Sequence, residues 1–149
     1  MLLNITIASL MMMATTAVHA GGISLIIFLI KSHKHHWATS NTLIWLSLIR
    51  MQRIGGVVLL MFLLSLLEMA AWATLYLHVG AVDTFEKALY FSTVTFTTLG
   101  YGDILLDANW RLLAAFEAVN GIIIFGLSTA VVVSAVQRIY FYDLAEKQA

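Results

Sequence analysis

The sequence predicts an all-α integral membrane protein, and three observations predict it. The mean hydropathy is +0.92. Charged residues make up 11% of the 149, against roughly 25% in a soluble domain. Three long runs are nearly free of charge: 2–30 holds no Asp, Glu, Lys or Arg, 54–78 holds only Glu68, and 112–137 holds only Glu117. Each run exceeds the roughly 20 apolar residues that cross a bilayer core as a helix. A soluble fold has no interior large enough for so much apolar surface.

The first span, 1–30, reads as a retained transmembrane helix. Val18-His19-Ala20 before two glycines resembles a signal-peptidase site, but a secretory signal starts with basic residues, and the first here is Lys31. Residues 31–53 form a basic linker. Lys31, Lys34, Arg50 and Arg53 fall in it with no acid among them, which places it in the cytoplasm. The N-terminus is then outside and the C-terminus inside, in a plasma or bacterial inner membrane. Within 37–53, Ile44, Leu48 and Met51 share one helical face and Ser47, Arg50 and Arg53 another. Two readings are open: a helix lying along the membrane surface, anchored by Trp37 and Trp45, or an extension of the second span.

The stretch 84–97, TFEKALYFSTVTFT, is apolar but covers only about 21 Å as a helix, too short to cross. Asp83 with Glu86 three residues on predicts its N-cap. A short helix that enters and stops is a re-entrant segment. The chain has no proline, so no span has a proline kink, and no cysteine, so neither disulfides nor thiolate metal sites arise. The formal net charge is zero, which points to no nucleic acid. The outer side carries Asp83, Glu86, Asp103 and Asp107 against Lys87, a mouth that attracts cations.

After the short helix comes Thr98-Leu99-Gly100-Tyr101-Gly102-Asp103. Glycine exposes bare backbone, which a bilayer tolerates only where it faces protein or water. This sequence is similar to the T-V-G-Y-G-D filter of potassium channels at five of six positions. The span, short helix, glycine turn and span over 54–137 resemble that family's pore unit, and the added first helix, WRLLAAFEAVNG and FGLSTA resemble small bacterial members. The resemblance implies a homotetramer with an outer helix, a pore helix at 84–97, a selectivity filter at 98–102, an inner helix at 110–137 and a short cytoplasmic tail at 138–149. It implies K+ coordinated by the carbonyls of Thr98, Leu99, Gly100 and Tyr101, with the Thr98 hydroxyl innermost, Gly102 completing the turn, and Tyr101 braced against pore-helix aromatics. Asp103, Tyr90 and Thr97 support the filter. Leu99 stands where the family most often has valine. Val94 stands where some members place a glutamate partner for the aspartate, and Tyr90 is expected to hydrogen-bond Asp103 instead. Gly121 is either the family's gating hinge or a close-packing position.

Ionisable groups at mid-membrane need partners. His19 and Glu68 lie at matching depth on antiparallel spans and are expected to pair, near Thr15 and Trp72. Glu117, in the outer half of the last span, either supports the back of the filter or is partly protonated against the pore helix. Asn120, Ser128 and Thr129 face either the cavity or neighbouring helices. His33, His35 and His36 form either a metal site or a solvated basic flank on anionic lipid. The function these readings give is passive, potassium-selective conduction, with membrane lipids as further partners and no cofactor, structural metal or enzymatic activity. The alternatives are a nonselective cation channel of the same fold and a non-conducting, metal-sensing subunit.

Overall fold

The computed structural model describes residues 2–32 and 43–146. Four helices follow in order: α1 over Leu2–Ser32, α2 over Leu43–His78, α3 over Phe85–Phe96 and α4 over Arg111–Glu146. The described residues contain no strand. Three helices are long and apolar enough to cross a membrane: Leu2–Phe28, Ser47–His78 and Arg111–Ile139. The chain has the make-up of a multi-pass membrane protein.

Two helices run past their apolar runs. α2 begins at Leu43, so 43–53 extends the second span rather than forming a separate surface helix. α4 carries on to Glu146 through the stretch read as a tail. Neither stretch holds a proline, and α2 runs unbroken through Gly55 and Gly56 just after Arg53. Each of these 36-residue helices is about 54 Å long, well beyond a hydrocarbon core of roughly 30 Å.

The N-cap of α3 is Thr84, one residue later than Asp83. Its backbone is extended (φ −133°, ψ 150°) and its hydroxyl accepts from the Lys87 amide at 3.4 Å. Asp83 instead faces Lys87 at 3.8 Å on the surface. Both residue types cap well. The choice of Thr84 leaves Glu86 in the first turn, where a carboxylate suits the helix dipole.

α3 sits between α2 and α4. Phe91 meets Tyr76 of α2 edge-on at 5.2 Å, and Phe96 meets Phe125 of α4 edge-on at 5.7 Å. Tyr76, Phe91 and Phe96 join Trp72, Leu113 and Ile124 in the larger core. A second core of Ile26, Val57, Met61 and Ala135 closes the other end of α1, α2 and α4. At Gly121 the packing becomes backbone on backbone. A Cβ there would overlap the Phe96 carbonyl oxygen and lie 2.8 Å from its carbonyl carbon.

Candidate functional site

The two turns flanking α3 share one hydrogen-bond pattern. At the end of α2, Ala81 N bonds Tyr76 O (2.9 Å) and Gly80 N bonds Leu77 O (3.0 Å), with Gly80 at φ +67°. At the end of α3, Leu99 N bonds Val94 O (2.9 Å) and Thr98 N bonds Thr95 O (2.9 Å), with Thr98 at φ +60°. Both are Schellman caps, in which the residue after the helix turns left-handed. Glycine fills that place in the first and a β-branched threonine in the second. Left-handed backbone costs a non-glycine residue roughly 1–2 kcal/mol. Thr98 therefore carries strain that its sequence neighbourhood did not announce.

The left-handed turn repeats along the segment. Gly100 has φ +58° and Gly102 φ +77°; Leu99, between Thr98 and Gly100, and Tyr101, between the glycines, do not share the positive φ. A Cβ on either glycine would meet nothing within 4 Å, so the backbone angle, not space, selects glycine. Gly100 N also bonds Val94 O, at 3.3 Å. The amides of residues 98, 99 and 100 thus all point back at the end of α3. No peptide bond here is cis, and in a trans peptide the C=O opposes the N–H. The carbonyls of Thr97, Thr98 and Leu99 are consequently turned away from α3.

The flanking residues hold this segment in place. Tyr90 donates to Asp103 Oδ2 at 2.7 Å, joining the middle of α3 to the segment's far end. That hydrogen bond, with partial desolvation, raises the Tyr90 phenol above its ordinary pKa. Thr97 donates to Thr93 O at 2.6 Å, which spends its hydroxyl on the helix end. Leu99 and Tyr101 are 56% and 68% exposed. Tyr101 forms no ring contact among the described residues, so the brace against α3 is not made within one chain; Phe91 turns to Tyr76 instead.

Two polar networks lie behind α3. In the first, Glu117 of α4 is fully buried, with Tyr76 donating to Oε2 at 2.6 Å and Ser92 Oγ 2.5 Å from Oε1. Ser92 is also 2.8 Å from the Met69 carbonyl, so α2, α3 and α4 meet at one carboxyl. The second ties α1 to both long neighbours. His19 Nδ1 pairs with Glu68 Oε1 at 2.9 Å, and its Nε2 lies 3.1 Å from Ser128 Oγ. Asn120 donates to Thr15 at 2.8 Å. Asn120 and Ser128 thus face α1, while Thr129 bonds its own turn at Phe125 O. Trp72, one helical turn after Glu68, is buried with its ring 6.3 Å from that of Tyr76 and its ring N–H unpartnered.

Sequence reasoning missed Tyr76 and Ser92. The isolated Glu117 was a sign that donors had to lie nearby, but these partners sit 41 and 25 residues away in the chain. Close packing accounts for the glycine at Gly121. His33, His35 and His36, with Trp37, lie outside the described residues. Among the described residues no three His, Asp or Glu gather as metal ligands would. A family model described as an ion channel matches residues 57–138, from α2 through α3 and the 98–102 turn into α4. No curated protein and no solved structure matches the chain.

Proposed function

The chain belongs to the ion channel family, and from that membership we propose that it is a potassium-selective channel. Four copies surround one axis and pass K+ through residues 98–102. The observation that carries the proposal is the run of left-handed turns at Thr98, Gly100 and Gly102, with the amides of 98–100 bonded to α3. K+ gives up its hydration only where other oxygens replace it. Carbonyls turned away from α3 supply those oxygens when four chains converge. A charge-free conduit of this kind needs no cofactor, and the ion itself is the cargo.

The other elements fit this assignment. At 12 residues α3 is about 18 Å long, so it serves as a pore helix that enters without crossing. Its carbonyl end faces the cavity and favours a cation there. Leu99 and Tyr101, exposed in one chain, pack against neighbouring copies in the tetramer. The N-terminus lies outside, and Lys31, Arg50 and Arg53 lie on the cytoplasmic side.

The test is flux from liposomes holding the purified protein, with K+ compared against Na+. We expect K+ flux well above Na+ flux, blocked by barium, and no flux from Gly102→Ala. Alanine at φ +77° costs roughly 1–2 kcal/mol in each chain although nothing obstructs its methyl. Equal Na+ and K+ flux makes the protein a nonselective channel. A folded tetramer with no flux makes it a non-conducting subunit.

A further inference from the structure

Three close oxygen–oxygen contacts meet around Glu117: Tyr76 Oη to Glu117 Oε2 (2.6 Å), Ser92 Oγ to Glu117 Oε1 (2.5 Å) and Ser92 Oγ to the Met69 carbonyl oxygen (2.8 Å). Each contact needs one proton between its oxygens. Tyr76 and Ser92 bring one each, and the carbonyl brings none. With Glu117 ionised, three contacts share two protons. Ser92 then either faces Met69 O or Glu117 Oε1 with lone pairs opposed at hydrogen-bond distance. One further proton completes the set.

We propose that Glu117 is a proton-binding site, held as a neutral carboxylic acid between three helices. Its Oε1–H donates to Ser92 Oγ, Ser92 donates to the Met69 carbonyl, and Tyr76 donates to Oε2, the carbonyl oxygen of the acid. Every polar atom in the cluster is then satisfied. The surroundings agree. Glu117, Ser92 and Tyr76 are 0% exposed. Among the described residues, Tyr76 from α2 is the one titratable group that hydrogen-bonds it, and Ser92 is its partner from α3. The His19–Glu68 and Lys87–Asp83 ion pairs do not include Glu117, whose hydrogen-bond partners come from α2 and α3. A buried carboxylate without a countercharge is expensive, whereas a neutral acid is not. The bound proton lets one side chain link α2 to α3 six residues ahead of Thr98.

Infrared spectroscopy of the full-length protein in lipid at neutral pH tests this whether or not the protein conducts. Wild type is expected to show a protonated-carboxyl band that shifts when glutamate is labelled with heavy carbon at its carboxyl. Glu117→Gln should remove that band. The variant preserves the pattern, since the amide oxygen accepts from Tyr76 and the amide nitrogen donates to Ser92. Tyr76→Phe should move the band to higher frequency, because the acid's carbonyl oxygen loses its donor. An ionised glutamate would show neither the band nor the shift. A wild-type spectrum without the band, loss of a carboxylate band in Glu117→Gln, or an unmoved band in Tyr76→Phe overturns the proposal. If Glu117→Gln does not fold, the label shift and Tyr76→Phe still decide it.

Discussion

Gly121→Ala is the most direct probe of how α4 supports the 98–102 segment. A methyl there would sit 2.8 Å from the Phe96 carbonyl carbon and 3.2 Å from its Cα, and would overlap the carbonyl oxygen. Carbon atoms are comfortable at about 3.5 Å, so the helices must part by at least about 0.7 Å, and by roughly 1 Å once the oxygen is included. The obstruction is backbone, so no rotamer change relieves it. Overpacking of this kind costs about 1–3 kcal/mol. Replacing a helical glycine also returns about 0.8–1 kcal/mol through propensity. Gly126→Ala is the control, because a methyl there meets nothing within 4 Å of the same chain. The propensity gain is common to both variants, so their difference isolates the overlap at about 1–3 kcal/mol. Thermal unfolding in one detergent reads that difference, and liposome flux reads its effect two residues before Thr98. We expect Gly121→Ala to melt well below Gly126→Ala and to lose flux. Equal melting with unchanged flux refutes the close approach. Lost flux at unchanged melting favours a hinge instead.

Three further predictions use the polar contacts and the strained turn. His19→Leu leaves Glu68 buried without its partner and should lower unfolding stability by about 3 kcal/mol, where the costs of a lost buried hydrogen bond and a broken buried pair overlap. Adding Glu68→Leu should recover most of that loss in the same unfolding assay. The Tyr90 phenol should titrate above its ordinary value in an ultraviolet absorbance titration and return toward it in Asp103→Asn. Because the folded-state value is the raised one, the stability from this hydrogen bond is full below the ordinary phenol pKa. It is lost as pH rises through the raised value. Thr98→Gly should raise stability in thermal unfolding by roughly 1 kcal/mol by relieving the left-handed turn, and should lower K+ over Na+ flux selectivity.

The three spans were legible because hydropathy reports the solvent around a segment. For the same reason it misplaced helix ends. α2 does not stop where lipid would stop, since neither Arg50 nor Arg53 breaks a helix, and α4 passes Arg138 in the same way. The cap of α3 was misread by one residue because Asp83 and Thr84 are both good caps, and the sequence holds no term that ranks neighbours. The His19–Glu68 pair was readable from depth and charge, since two costly groups on antiparallel helices have few other options. Tyr76 and Ser92 were not, because a tyrosine or serine in a span is unremarkable until tertiary packing brings a carboxyl to it.

The left-handed backbone of Thr98 was missed for a more instructive reason. Local rules assign glycine to the position after a helix that ends in a Schellman cap, and the chain follows that rule at Gly80. At Thr98 it departs from the rule, within the segment where two glycines show that left-handed turns are otherwise made in the ordinary way. Glycine would fit the backbone better, so the threonine must supply something glycine lacks. Its methyl offers no explanation, since apolar packing is available from many residues. What it adds at the mouth of a row of carbonyls is one more oxygen, on a side chain free of the backbone's hydrogen bonds to α3. Strain retained beside an oxygen donor is the sign expected where a binding site overrides local preference.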